Sequence, residues 1–373
     1  MGDLLGWVES WKVPEAEAPR VIGTLRRQLA AKFGLVEKVP LWRPSSTGQW
    51  LLRQLGVDLT PLPYELRRVI VHTSGQHRKQ WLWQGGPELP ALHYYDGRAM
   101  YMGLCDRLPF GDVVHASGGE VEGADRGRYR VEVTVPSDWS HVGLLGLKDP
   151  APGAEGWIWP HEPGRCFETW ADCAEVRLAV SLGWQVRVRE RIVQREGRPL
   201  GAWAAGLSTL YQRALQAGDK WVAGCHRAIA LHTIGTFHQL GTFTQEEHVS
   251  LAEFAIRPED GQITPEGGAV IRTRERAKQW KTEETSHPEW SAAIWALSRL
   301  RVVKALLQVP KQTIVAVEGD AIYLTVPPVS GLPAWKDDGG LGRLRLKGFR
   351  PGPLVAPLDL EGVRALGKAA ERG

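Results

Sequence analysis

Apolar residues recur at near-helical spacing at Val21, Leu25, Leu29 and Phe33, which predicts a helix over residues 19–34. Ser45, Ser46 and Thr47 offer caps for a second, shorter helix through Trp50, Leu51, Leu52 and Leu55. The runs RRVIVHT (67–73), QWLWQ (80–84) and ALHYYD (91–96) read as strands, the last ending in an aspartate followed by glycine. Residues 128–135 (RYRVEVTV) and 184–193 (WQVRVRERIV) alternate as strands do. Between them, 150–165 is rich in Pro and Gly and reads as loop, and 170–182 reads as a helix closed by Gly183. Two helices follow, at about 200–217 and 219–234, and the polar stretch 257–285 reads as loop-rich. A long helix is expected over 288–307, with Pro288 in its first turn. Two apolar runs, TIVAV (313–317) and AIYLTV (321–326), then flank Glu318-Gly319-Asp320, the pattern of a β-hairpin with acids at its turn. There is no internal repeat, and the order of elements predicts an α+β chain.

The acids of that hairpin are the first candidate chemistry. Glu318 and Asp320 stand two apart, so both are expected on one face of the strand. Such acids repel each other and raise each other's pKa unless a cation intervenes. Asp96 ends another apolar strand; were that strand to lie beside the hairpin, three carboxylates would converge. Hard oxygen ligands at a strand edge suit two Mg²⁺ or Mn²⁺ ions. The competing interpretation of Glu318 and Asp320 is a polar turn.

Composition narrows this only a little. The 373 residues carry a formal net charge of +4, a mild basic bias compatible with nucleic acid. Arginines gather at Arg187, Arg189, Arg191, Arg195 and Arg198, and basic residues again at Arg343, Arg345, Lys347 and Arg350. Either group suits a solvated face or a strand beside phosphates. Four cysteines without a CxxC pair disfavour a structural zinc site, and with no signal peptide they suggest a reducing cytoplasm. No apolar run is long enough to cross a membrane. The seventeen tryptophans are expected as core or groove anchors, some able to stack on bases. Arg213, Lys220 and Arg227 are spaced by seven, a row able to meet a triphosphate or to form a solvated stripe. His226, His232 and His238 do not share a helix face, which disfavours a metal role; His232 reads as a nucleotide-pocket contact or a core histidine.

Taken in order, these segments resemble the polymerase motifs of family B DNA polymerases, of the protein-primed type. YDGRAMYM (95–102) resembles the first motif, with Asp96 and, five residues on, Tyr101; LPFG (108–111) is similar to the segment that follows it. VEGDAIY (317–323) resembles the third, with Glu318 on the first acid and Asp320 on the second, and the helix HPEWSAAIWALSRLRVVKALLQ matches the palm helix before it. RAIALHTIG (227–235) is similar to the second motif, with Arg227 on its lysine and Gly235 on its glycine, while LYQR (210–213) is similar to the segment carrying a further phosphate-binding arginine, Arg213. The departures are Arg98, Ala99 and Met102 in the first motif, Leu231, His232 and Ile234 in the second, and Gly319 and Ala321 in the third.

The resemblance covers about residues 40–350 and implies a palm, an antiparallel sheet with packed helices, carrying a helical fingers insertion. It implies metal ligation by Asp96 and Asp320 with Glu318 nearby, a sugar contact at Tyr101, and nucleotide binding by Arg98, Arg213, Lys220, Arg227, His232 and Gly235. The expected division is an N-terminal helical region (1–65), palm (66–183), fingers (184–245), palm again (246–335) and a short remnant in place of a thumb (336–373). LGRLRLKG (341–348) resembles the strand that closes the palm, and the Lys-x-Tyr expected beyond it is not recognisable. The function implied is DNA-directed nucleotidyl transfer without proofreading, on primer-template DNA and deoxynucleoside triphosphates, with a priming protein or a thumb-supplying partner as possible company and a mobile element as the expected source. The rivals are primer synthesis or template-free tailing, and an inactive polymerase-like subunit that binds nucleic acid.

Overall fold

The structure is a computed structural model that describes residues 4–36, 38–75, 77–151, 156–240, 242–256, 261–264, 267–277 and 285–372. The N-terminal part is helical: α1 (Leu4–Trp11), α2 (Ala18–Phe33), α3 (Pro44–Gln54) and α4 (Tyr64–Thr73). Strands β1 (Lys79–Trp81), β2 (Glu88–Gly97), β3 (Leu108–Ser117), β4 (Arg126–Thr134), β5 (Leu147–Lys148), β6 (Trp157–Ile158) and β7 (Cys166–Asp172) follow, then α5 (Cys173–Ser181) and β8 (Gln185–Gly197). The helical pair is α6 (Gly201–Gln216) and α7 (Lys220–Phe237). Beyond it come β9 (Thr242–Val249), α8 (Leu251–Phe254), β10 (Gly261–Ile263), β11 (Ala269–Ala277) and α9 (Pro288–Leu306). The chain closes with β12 (Ile314–Glu318), β13 (Ala321–Leu324), β14 (Leu344–Val355) and α10 (Leu360–Ala370).

The expected mixture of helices with antiparallel sheet is what is found. A five-stranded sheet has the order β1-β12-β13-β2-β14, with antiparallel neighbours throughout. Its two faces belong to different cores, with the alternation along β12 interrupted by a register irregularity between Ile314 and Ala316. Ile314, Val317, Ile322 and Leu324 pack into the large helical core; Leu89, Leu92, Val315 and Tyr323 pack with Val363 of α10 on the other face. A second sheet, β3-β8-β4-β7, is separate from it. Helix α9 stands between them, packed against α4, α5, α7 and strands of the second sheet, and is buried on nearly all sides.

Several expectations are corrected. Residues 67–73 are helical, not a strand: Leu66, Val69 and Ile70 share the face that packs with Ala292 of α9, and this packing overrides the β-branched composition. Of 80–84, only the first two residues lie in β1, and the Trp83 indole bonds the Gly86 carbonyl at 2.9 Å in the turn beyond. Trp170 is in β7; the helix begins three residues later, after Asp172, whose side chain caps Ala174 while Glu175 bonds back. Ser45, Ser46 and Thr47 lie inside α3, which starts at Pro44; the Thr47 hydroxyl donates to the Pro40 carbonyl at 2.8 Å. The polar 257–285 stretch holds β10 and β11, which form a three-stranded sheet with β9; residues 257–260, 265–266 and 278–284 lie outside the described residues. Strand β8 was grouped with the helical pair but belongs to the second sheet, because it pairs with β3 and β4. The segment after residue 336 completes the five-stranded sheet through β14 and covers it with α10.

The basic run on β8 is largely neutralised within its sheet. Arg189 pairs with Glu132 and Arg191 with Glu122, while Arg126 and Arg130 of β4 pair with Glu196 and Glu190 of β8. That is a cross-strand ion-pair lattice, not an open phosphate rail. Deeper, Arg299 of α9 grips Glu175 of α5 through two bonds of 2.7 and 2.9 Å and donates to the Gly75 carbonyl at 2.7 Å. The pair is buried, so removing one partner strands a charge. Glu175→Gln keeps the helix cap but should cost about 3–5 kcal/mol. Glu175→Gln with Arg299→Met should cost less; urea unfolding of both variants checks the order.

Candidate active site

Strand β2 pairs with β13 in the register Tyr95↔Ile322 and Tyr94↔Tyr323. This register brings Asp96, at the end of β2, beside Asp320, in the β12–β13 turn. Gly319 leads that turn with φ +66°, as glycine does at the first central position of a II′ hairpin turn. A side chain at Gly97 would come within 2.6 Å of Asp320 Oδ2, so only glycine lets the two elements close this tightly. Burial, and then the charge of Asp96, push the Asp320 carboxyl up to about 7; its own backbone amide, Arg227 and Lys347 oppose that rise.

Glu318 has a counter-charge of its own. Arg364 of α10 holds it through paired bonds, the Nε one at 2.9 Å, and no group of three acidic, histidine or cysteine side chains able to hold a metal is found among the described residues. Glu318 nonetheless lines the same concavity as Asp96 and Asp320. Asp320 lies in the turn itself, so the two-residue strand spacing no longer aligns it with Glu318.

Lys347 of β14 was grouped in the sequence only with its basic neighbours. Its Nζ lies 3.3 Å from Asp96 Oδ2 and 2.6 Å from Glu371 Oε1. Burial alone would lower its pKa, but Glu371 and Asp96 outweigh that and hold it above the ordinary lysine value. The sequence showed only that basic residues gather here: Arg345 is registered opposite Asp96 and the ladder is irregular at Lys347, so local alternation could not say which basic side chain meets the acid.

Tyr101 reaches the same locality. Ala99, in the left-handed region at φ 45°, turns the chain after β2. The Tyr101 hydroxyl bonds His77 Nδ1 at 3.1 Å and also Ser298 of α9. Burial, then the charge of Asp320, raise the phenol pKa. Arg98 turns away: its side chain pairs with Asp337 at 3.2 Å and its amide donates to the Arg343 carbonyl.

Along α7, Lys220, Arg227 and Gly235 follow one exposed side, and the charge of Arg227 reaches Asp320. Arg213 is exposed in the last turn of α6, across the short connection from Lys220, at the tip of the helical pair. His232 sits five residues from Arg227, roughly 140° around the helix at about 100° per residue. Burial, and then the charge of Lys12, lower its pKa. His226 is buried against Gln28, which accounts for it structurally.

Asp96, Asp320, Lys347, Arg227 and Tyr101 thus come together from a β-strand, a hairpin, an edge strand, a finger-like helix and the turn after β2. No family model and no curated protein matches this chain by sequence. Its fold resembles that of Phi29 DNA polymerase. The ternary complex of that enzyme with primer-template DNA and incoming nucleotide substrates superposes with a TM-score of 0.64 at 12% identity, covering 90% of this chain and 56% of the polymerase. Its orthorhombic form and its complex with single-stranded DNA each give 0.61 at 13% and 12% identity, covering 86% of this chain and 54% of theirs. The chain therefore spans little more than half the length of these polymerases, and the likeness establishes the fold. No helix among the described residues is long and apolar enough to cross a membrane.

The raised Asp320 pKa fixes the sign of a pH dependence. In the unfolded chain the carboxyl ionises near 3.8; in the fold it holds its proton to about 7. Its contribution to stability is therefore lost as pH rises between those values. Asp320→Asn should melt a few degrees higher than the parent at pH 8 without divalent metal, and the advantage should shrink at pH 5. Thermal unfolding at both pH values measures this.

Proposed function

We propose that this chain is a DNA-directed nucleotidyltransferase of family B type, acting on primer-template DNA and deoxynucleoside triphosphates. The observation that carries the reading is the meeting of Asp96 and Asp320 at adjacent strands of a palm-like sheet, with Asp320 half-buried and its carboxyl pushed up by desolvation and by the charge of Asp96. Two hard carboxylates that destabilise each other fit divalent cations, and Asp96 and Asp320 would hold Mg²⁺ or Mn²⁺. When bound, such ions supply Lewis-acid stabilisation to the attacking 3′-hydroxyl and the leaving pyrophosphate.

The protein's own residues do the rest. Lys347 holds Asp96 and keeps positive charge beside it before substrate arrives. Arg227 meets the negative charge of the triphosphate from the α7 side, with Lys220 and Arg213 farther out on the helical pair. The Tyr101 ring, fixed at its hydroxyl by His77 and Ser298, bounds the sugar and opposes a 2′-hydroxyl. Glu318 stabilises α10 through Arg364 and acts on the site only indirectly.

Asp96→Asn and Asp320→Asn should each abolish incorporation on a primed template with Mg²⁺ or Mn²⁺. Added Mg²⁺ should raise the melting temperature of the parent but not of either variant, which tests ligation without turnover. Near-parental extension by either variant would refute the assignment. Arg227→Ala should weaken nucleotide use about ten- to a hundredfold, the value of a charge-assisted phosphate contact, with little change in melting temperature. Nucleotide titration beside thermal unfolding separates this from a structural role. Tyr101→Ala should admit ribonucleotides more readily, read from the ratio of kcat/KM for ribo- and deoxynucleotides.

A further inference from the structure

Strand β14 breaks its ladder where it passes the acids. Arg345 stands opposite Asp96, Leu346 opposite Tyr95 and Gly348 opposite Tyr94, which leaves Lys347 as the extra residue of a bulge. A bulge re-aims the side chain it carries. The Lys347 ammonium lies 3.3 Å from Asp96 Oδ2, 2.6 Å from Glu371 Oε1 and 5.5 Å from the centroid of the Tyr94 ring. Gly348, the next residue, admits the second of these partners. A Cβ there would come within 2.5 Å of the Ala370 carbonyl carbon, so only glycine lets the last turn of α10 rest on β14 and set Glu371 beside the lysine. Gly367 makes a similar approach one turn earlier. A Cβ there would meet the Tyr323 ring at 2.7 Å, and that ring stacks on Tyr94. Two glycines thus seat α10 where Glu371 shares a cation with Asp96.

The sharing bears on what Asp96 can bind. An ammonium and a divalent cation compete for the same carboxylate and repel each other at close range. With Asp96 as its only partner, Lys347 would lose its counter-charge whenever Asp96 took a metal, and that loss would oppose metal binding. Side-chain exposures of 20% for Asp96, 25% for Lys347 and 33% for Glu371 leave the three charges only partly screened by water. Glu371 offers the ammonium a second carboxylate that it already touches. Of the other cations lining this concavity, Arg364 is held by Glu318, and Lys368 belongs to the last turn of α10.

We propose that Glu371 is a positioning residue for metal uptake: Lys347 releases Asp96 to a divalent cation and keeps Glu371 as its counter-charge. This rests on the reading of Asp96 as a metal ligand. The test is Mn²⁺ binding, followed by electron paramagnetic resonance on the protein without DNA or nucleotide. Lys347→Gln removes the competitor and should tighten binding about three- to tenfold, between the value of an exposed ion pair and that of a charge-assisted hydrogen bond. Lys368→Gln, which removes the same charge from the same concavity, should tighten it less. Glu371→Gln leaves the lysine with Asp96 as its remaining carboxylate and should weaken binding by a similar factor, with Glu371→Asp falling between it and the parent. In the Lys347→Gln background the Glu371→Gln change should have no further effect. A through-space field or an undocked α10 would weaken binding whether or not Lys347 is present, so the double variant isolates the shared lysine.

A Glu371→Gln protein that binds Mn²⁺ as the parent does, or one whose deficit persists in the Lys347→Gln background, overturns the proposal. So does a Lys368→Gln gain equal to that of Lys347→Gln. Each of these results leaves Asp96 standing as a metal ligand, provided that Asp96→Asn loses Mn²⁺. A parent that binds no Mn²⁺, or no more than Asp96→Asn does, overturns the metal reading and this proposal together.

Discussion

Two carboxylates pressed together at the edge of a buried sheet are costly, and the architecture around Asp96 and Asp320 is arranged to bear that cost. The β2–β13 register sets the acids side by side, and the missing side chain at Gly97 lets the hairpin turn close on Asp96. Lys347 then supplies a cation at 3.3 Å, and Arg227 adds a longer-range one from the helical pair. Burial first, and then the charge of Asp96, outweigh these cations, and the Asp320 carboxyl is pushed up to about 7. A site optimised for stability alone would have replaced an acid.

The remainder of the fold serves as a frame for that edge. Helix α9 is buried on almost every side and joins the helical core, α5 and the second sheet; its Arg299 reaches both Glu175 and the Gly75 carbonyl. One turn of the same helix supplies Trp295 against His77 and Ser298 to the Tyr101 hydroxyl. Packing at the centre of the molecule is thereby coupled to the position of the ring nearest the carboxylates. On the opposite face of the five-stranded sheet, α10 contributes Arg364 to Glu318 and lies beside Glu371, the second partner of Lys347. The C-terminal segment thus shapes the electrostatics of the site as well as covering the sheet.

The departures from the family B pattern also have physical readings in this fold. Gly319 replaces a threonine where the turn requires positive φ. Arg98, which stands where the family B motif has an asparagine, pairs with Asp337 and ties the turn after β2 to the region before β14. Ile234 lies buried in the helical core, so its side of α7 is committed to packing. Arg227, His232 and Gly235, the other matched positions of this helix, are all exposed.

Local pattern was enough for elements whose apolar period is strong. The helix through Val21, Leu25 and Leu29, the alternating strands β4 and β8, the helical pair, α9 and the acidic hairpin are all legible, because burial of one face imposes its period on the residues. The positions of the two aspartates followed from the same pattern, Asp96 near the end of β2 and Asp320 in the turn between β12 and β13. Where periods conflict or are weak, tertiary packing decided. RRVIVHT is helical because α9 offers a groove to its Leu66, Val69 and Ile70 side, and β11 is a strand despite its polar sequence because β9 and β10 satisfy its backbone. The partners of the acids were beyond the reach of the sequence. Lys347 is 251 residues from Asp96 and Arg364 is 46 from Glu318, and only strand register and the docking of α10 bring them together. Charge type is written locally, whereas the choice of counter-charge depends on distance, and distance is set by the assembled sheet.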